Sequence, residues 1–273
     1  MKLFTYGDSW TEGQGVNPLK EASLETREER KKYRNDRSWP EKLSKLLNVN
    51  HENQSLSGCD NNTIFNQVID DVKSKKIVSG DLIIVMWSSS LRDEVPFFPK
   101  NEWHSWGLNY ISDKHKHKWF ILNNLTNISS YNGFLTEFKE FFVDELFTQD
   151  YYNIINQNYI LFLQKLCDYY RINYIFCDAF DKMISEIKIE NDKTHFINKE
   201  SYWGFGIKTF KDFLMSNGNK NLWETPQYSI ENVPGMHPSE LGYHLIAEEI
   251  FRYFNENESK IMRFSDSKKI KFL

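Results

Sequence analysis

Short apolar runs alternate along this chain with stretches whose apolar residues recur at helical spacing. The apolar runs predict strands, and the β-branched run at 81–87 is typical of a strand that is buried on both faces. Apolar positions at every third or fourth residue predict the helices between the strands. The predicted strands are 2–6, 51–56, 81–87 and 173–177; the predicted helices are 60–75, 206–215, 240–254 and one that starts at Ser38 with Pro40 in its first turn.

This order of elements predicts an α/β fold with a mostly parallel sheet between layers of helices. The stretch at about 96–148 is too long for a single crossover and is rich in tryptophan and tyrosine, so we expect an aromatic-rich helical insertion there. Residues 133–170 have a strongly helical pattern with a break near 148–150. No internal repeat divides the chain, which favours a single domain over 1–273.

The composition of the chain argues against some classes of binding partner. The chain has 273 residues and a formal net charge of −4, which argues against binding the nucleic-acid backbone as its main activity. Both signs of charge alternate over 25–37, so we expect a solvated helix or loop there. The three cysteines have no CxxC spacing, and no apolar run is as long as a membrane span. We therefore expect a soluble, cytoplasmic protein with no membrane or nucleic-acid partner.

Candidate chemistry lies where the predicted strands end, because ligands of open α/β sheets bind beyond the carboxyl ends of the strands. Gly7-Asp8-Ser9 follows the first strand, Gly58 the second and Ser88 the third, while His237 precedes the last helix. These residue types match an acyl-transfer site in which Ser9 attacks and His237 takes its proton. The N–H groups of Ser9 and Gly58 and the hydroxyl of Ser88 would then hold the oxyanion.

Further residues at the same strand ends are candidates for substrate contact, namely Asp8, Trp87, Ser89 and Arg92. Asp8 is also expected to hydrogen-bond its own turn. A His-x-His pair at 115–117 lacks a third ligand at metal spacing, so we expect no metal. Chemistry through an acyl-serine needs no cofactor.

These residues also lie in three sequence blocks that resemble the SGNH/GDSL hydrolases. Residues 7–13 (GDSWTEG) resemble the first block of that family, 53–64 (NQSLSGCDNNTI) the second, and 235–239 (GMHPS) followed by Gly242 the last. The resemblance covers about 1–95 and 173–255. It implies a three-layer α/β/α flavodoxin-like fold, a Ser9 nucleophile, a His237 base and an oxyanion-binding N–H group on Gly58.

Two positions depart from the pattern of the family. Ser88 stands where the third block has the asparagine of the oxyanion hole, and Pro234 stands where the last block has an aspartate three residues before the histidine. A proline side chain cannot accept the imidazole proton. The orientation of His237 is therefore left to a backbone carbonyl or to another acid, such as Glu231 or Asp178.

Together these features predict a serine hydrolase that cleaves a small acyl ester, with acetyl on a carbohydrate as the leading substrate class. That substrate class rests on the resemblance and on the aromatic insertion. Two alternatives stay open. The departures at 88 and 234 also fit a protein that binds a glycan or a partner protein without turnover, and a sugar hydroxyl in place of water would make the chain an acyltransferase through the same Ser9. The sequence leaves the oligomeric state open.

Overall fold

A four-stranded parallel sheet lies at the centre of the part of the chain that the structure describes. The computed structural model describes residues 1–89, 93–96, 119–122, 149–184, 193–218, 222–223 and 237–264. The sheet has the order β2-β1-β3-β6, with β1 at Leu3–Tyr6, β2 at His51–Asn53, β3 at Leu82–Trp87 and β6 at Asn173–Asp178. Its strands are in parallel register, so their carboxyl ends meet at one edge.

Helices connect these strands and cover both faces of the sheet. The second and third helices along the chain are mostly exposed, whereas the first and the later ones contribute apolar side chains to the core. The helices are α1 (Ser9–Glu12), α2 (Pro18–Ala22), α3 (Arg27–Asn35), α4 (Trp39–Leu47), α5 (Asn61–Lys73), α6 (Gln149–Tyr170), α7 (Phe210–Ser216) and α8 (Glu240–Ile261), with 3-10 turns at Thr194–Phe196 and Lys199–Ser201.

The alternation of side chains along the strands divides the core into two halves. Leu82, Ile84 and Met86 point to one face of β3 and pack with α4, α7 and α8. Ile83 and Val85 point to the other face and pack with α5 and α6. The result is three layers, helix on sheet on helix, and it confirms the α/β fold class with a parallel sheet.

Outside the insertion at 96–148, the predicted elements agree with the structure in kind and differ at their ends. The expectation of a helical insertion is corrected for its described part, because the apolar run Trp119–Leu122 is a strand. The second strand stops at Asn53, and the last helix continues to Ile261. Of the insertion at 96–148, the structure describes the strand β5 (Trp119–Leu122), which pairs antiparallel with β4 (Asp93–Pro96). The rest of the insertion and the predicted helical residues 133–148 lie outside the described residues.

The charged stretch 25–37 forms α3, which a capping box at Thr26 and Glu29 begins. Most of its side chains are exposed as expected, but Arg34 corrects the expectation of a fully solvated helix because it is only 8% exposed. Arg34 is buried because two carboxylates, those of Glu12 and Glu21, lie within ion-pair distance of its guanidinium. No helix in the described ranges combines the length and the apolar character that crossing a bilayer requires.

Candidate active site

The turn after β1 places Ser9 at the start of α1. Asp8 precedes the helix and caps it, since its Oδ1 accepts a hydrogen bond from the Trp10 N–H at 3.0 Å. A larger residue would not fit at Gly7, because a Cβ there would lie 2.9 Å from the Met86 carbonyl oxygen. The sharp turn from strand to helix therefore depends on Gly7 and Asp8, and it brings Ser9 to the carboxyl edge of the sheet.

His237 approaches Ser9 from the other end of the chain. Its Nε2 lies 3.1 Å from the Ser9 Oγ, although 228 positions separate the two residues. Backbone pairing next to His237 holds it in this position. Pro238 forms an isolated antiparallel β-bridge with Trp223, and the Ser239 N–H donates to the Leu222 carbonyl at 2.7 Å. Ser239 then caps α8. A hydroxyl and an imidazole at this distance can exchange a proton directly.

Gly58 lies in a turn that packs against the residue before Asp8. The Leu56 N–H donates to the Gly7 carbonyl at 3.0 Å, and the Cys59 Sγ lies 3.6 Å from the same oxygen. Gly58 has a φ of +84°, a backbone conformation that favours glycine. Within the described ranges, neither the Gly58 N–H nor the Ser9 N–H donates to a protein acceptor. No acceptor among the described residues therefore competes with a ligand for either donor.

The sequence predicted that the Ser88 hydroxyl would donate to the oxyanion, and the structure corrects this prediction. The Ser88 side chain is fully buried, and its Oγ donates to Asp8 Oδ2 at 2.6 Å. The backbone of Ser88 is held by Asn61, whose Oδ1 accepts from the Ser88 N–H at 2.8 Å. Ser88 thus supports the nucleophile turn from behind, through Asp8.

Two of the candidates for substrate contact lie in the interior, which corrects that expectation for them. Asp8 and Trp87 are both fully buried, because Asp8 caps α1 and Trp87 packs in the core with Phe176. Ser89 is half-buried, and its Oγ donates to Asp181 Oδ2 at 2.6 Å. Arg92 lies outside the described residues.

Asp178, one of the acids considered for orienting His237, has other partners. Its carboxylate accepts from the Tyr202 hydroxyl at 2.6 Å and from the Met183 N–H at 3.3 Å. It follows Phe176 on the face of β6 that packs with α5 and α6, whereas α8, which begins just after His237, packs on the opposite face. Burial raises the pKa of Asp178 to about 7. The structure thus directs Asp178 away from the histidine side of the sheet.

The other acid considered, Glu231, lies outside the described residues, and so does Pro234. Among the residues that are described, no group of histidines, cysteines and carboxylates is arranged to hold a metal ion.

Three aromatic rings pack together around Trp10, the residue that follows Ser9, and sequence reasoning assigned none of them to the site. Trp10, next to Ser9, is buried and contacts Phe180 and Trp223 edge to face, with ring centroids 4.7 and 5.8 Å apart. Phe180 and Trp223 are only half-buried. Phe180 lies two residues after the end of β6, and this position after a strand end could have indicated a place at the site.

Glu12 is a second residue that sequence reasoning missed. It lies one helical turn after Ser9 and is 7% exposed. Its Oε2 accepts from the Ser57 N–H at 2.8 Å, and its Oε1 lies 3.2 Å from Arg34 Nη1. Its spacing of three residues from the nucleophile was the feature of the sequence that could have revealed it.

Comparisons with known proteins find a distant likeness in structure only. No protein-family model matches the chain, and no curated protein matches it in sequence. One similar structure is a protein from Desulfitobacterium hafniense DCB-2 assigned to the G-D-S-L family of lipolytic proteins, with 13% identity, a TM-score of 0.40 and coverage of 92% of this chain and 98% of that one. Another is a carbohydrate esterase whose active site has divergent catalytic and non-catalytic binding functions, with 14% identity, a TM-score of 0.41 and coverage of 94% and 65%. Similarity this low carries no inference about function, so the chemistry is inferred from the geometry of the site.

Proposed function

We propose that this chain is a serine ester hydrolase in which Ser9 is the nucleophile and His237 the general base. The observation that carries the proposal is the 3.1 Å distance between Ser9 Oγ and His237 Nε2. A nucleophile and a base within hydrogen-bond distance are the defining pair of covalent acyl transfer. Two residues so far apart in sequence meet here at the carboxyl edge of a parallel sheet, where ligands of such folds bind.

The chemistry follows from that pair. Neutral His237 accepts the Ser9 proton at Nε2 while Ser9 Oγ attacks the ester carbonyl carbon. The tetrahedral intermediate collapses to an acyl-Ser9 as the imidazolium returns the proton to the leaving alcohol. Water then attacks the acyl carbonyl carbon and gives a proton to His237. The bond between that carbon and Ser9 Oγ breaks as the imidazolium returns the proton to Ser9 Oγ, which releases the carboxylic acid and free Ser9.

Two backbone donors supply the stabilisation of the oxyanion in this proposal. The N–H groups of Ser9 and Gly58 are the available donors beside the nucleophile, and Ser88 is turned towards Asp8. Loss of one such donor typically lowers kcat by about 10² to 10³. A hole built from backbone groups is preorganised, because the fold fixes them before the substrate arrives.

For the substrate, we propose a small acyl ester, with acetyl on a carbohydrate as the leading class. The half-buried rings of Phe180 and Trp223, which contact Trp10 next to Ser9 in the chain, support this proposal. Aromatic faces pack well on the apolar C–H surface of an acyl group or of a sugar ring. The compartment proposed for the protein remains the cytoplasm, and the proposed partners are the substrate ester alone.

Hydrolysis of p-nitrophenyl acetate by the purified protein tests the proposal. We expect Ser9→Ala and His237→Ala each to lower kcat/KM by at least about 10³-fold. His244→Ala is the matched control, because His244 is an exposed histidine paired with Glu248 on α8. It should keep the wild-type rate. Wild-type protein that is folded but inactive, or equal rates in all three variants, would contradict the proposal and favour a binding protein without turnover.

A further inference from the structure

We infer that Glu12 is a positioning residue that holds the oxyanion-binding turn in place relative to the nucleophile. The inference rests on the proposed function and deepens it, because it concerns how the Gly58 N–H is aimed. Glu12 ends α1, the same four-residue helix that Ser9 begins, so the two residues move as one unit. Its carboxylate reaches across to the neighbouring turn and accepts from the Ser57 N–H at 2.8 Å.

The hydrogen bonds among the described residues hold both neighbours of Gly58 and include none from the Gly58 amide itself. The preceding amide, that of Ser57, donates to Glu12, and the following one, that of Cys59, donates to the Leu56 carbonyl at 3.2 Å. The Leu56 amide donates to Gly7 at 3.0 Å. In the described part of the chain the Gly58 N–H has no acceptor, although its neighbours on both sides do. The direction of that N–H is therefore set by bonds that lead back to the nucleophile turn.

The Arg34 guanidinium stabilises the buried Glu12 carboxylate that accepts from the Ser57 N–H. The side chains of Glu12 and Arg34 are 10% and 9% exposed, and Arg34 Nη1 lies 3.2 Å from Glu12 Oε1. A buried carboxylate without a cation nearby would take up a proton or turn towards water. The Arg34 guanidinium compensates the buried Glu12 carboxylate, and the carboxylate's other oxygen accepts from the Ser57 N–H.

The same guanidinium provides a matched control. Arg34 also binds Glu21, whose Oε1 accepts from Arg34 Nε at 2.9 Å. Among the described residues, Glu21 makes no hydrogen bond or ion pair with the turn at 56–59. Removing Glu21 therefore weakens the same ion cluster without touching the Ser57 amide. A purely structural role would make Glu12 and Glu21 equivalent, whereas a positioning role separates them.

The experiment compares Glu12→Ala, Glu12→Gln and Glu21→Ala with the wild type in two ways. Steady-state hydrolysis gives kcat and KM, and amide hydrogen exchange reports on 56–59. We expect Glu12→Ala to lower kcat by about 10- to 100-fold with KM unchanged, because the substrate still binds while the donor is displaced. Glu21→Ala should keep kcat within about threefold of the wild type. Glu12→Gln should recover part of kcat, since its amide oxygen can still accept from Ser57.

Amide exchange makes the inference testable apart from the proposed function. We expect faster exchange of the Ser57 and Cys59 amides in Glu12→Ala than in Glu21→Ala. Equal exchange in the two alanine variants, or equal kcat in both, overturns the inference while the proposed function stands. A folded wild type without Ser9-dependent hydrolysis overturns the proposed function, and the exchange comparison then decides alone whether Glu12 holds the turn. If Glu12→Ala does not fold, Glu12→Gln is compared with Glu21→Gln in the same two measurements.

Discussion

Replacing Asp178 by asparagine separates a buried structural acid from an acid that orients the catalytic histidine. Asp178 is 1% exposed, and its carboxylate accepts from Tyr202 and Met183. Burial raises its pKa from 3.8 to about 7, and the hydrogen bonds from Tyr202 and Met183 act in the opposite direction. Asparagine has nearly the same shape and keeps one oxygen acceptor, but it cannot ionise.

The sign of the effect follows from the direction of the pKa shift. Between pH 4 and pH 7 folded Asp178 holds its proton while the unfolded residue has lost it, so the free energy of unfolding falls as pH rises. From pH 5 to pH 8 this single group removes about 2 to 3 kcal/mol of stability. Asp178→Asn lacks that loss, so its stability relative to the wild type should rise by the same amount over this interval.

Urea unfolding at pH 5 and pH 8, with kcat measured on the same samples, checks both roles. We expect a stability difference that depends on pH and a kcat within about threefold of the wild type. A difference that does not change with pH would refute the energetic reasoning. A loss of about 10⁴ in kcat, the size expected when the histidine tautomer is no longer controlled, would show that Asp178 orients His237 after all.

Three further substitutions test other parts of the site. Gly58→Ala introduces a Cβ at a φ of +84°, which should lower the free energy of unfolding in urea by about 1 to 2 kcal/mol. It should also lower kcat about tenfold or more, because the oxyanion donor is displaced. Ser88→Ala removes the hydroxyl that donates to Asp8 and should destabilise the fold by about 1 to 3 kcal/mol in thermal unfolding. Trp223→Ala removes a half-buried ring beside Trp10 and should raise KM for aryl or sugar acetates about 2- to 10-fold while kcat is kept. An unchanged KM would exclude Trp223 from the substrate site.

The fold could be predicted from the sequence because three of the four strands of its central sheet are mostly apolar and fully buried. The run at 82–87 is fully buried on both faces, and the observed strand differs from the predicted one by a single residue. The second strand was harder, since His51–Asn53 is polar and only half-buried at the edge of the sheet. Edge strands bury less of their surface, so hydrophobicity marks their ends poorly.

The sequence predicted which residues lie at the strand ends of the site, but it did not predict the directions of their side chains. Ser9 and His237 follow from their positions in the chain, and the structure brings them together. The direction of a side chain at a strand end depends on its partner across the sheet, which is why Ser88 was assigned to the oxyanion when it binds Asp8. Arg34 was assigned to solvent because alternating charges indicate a solvated face, and only the tertiary fold brings Glu12 and Glu21 to it.

The most direct test of the Ser9–His237 pair is labelling with a fluorophosphonate probe, followed by peptide mapping. The probe phosphonylates a serine, with loss of fluoride, where a base takes its proton, so it measures activation of the hydroxyl and not mere exposure. We predict one probe per chain, attached at Ser9, and labelling that is slower by about 10² or more in His237→Ala but unchanged in His244→Ala. A folded protein in which Ser9 stays unmodified, or is modified equally fast without His237, would contradict the account.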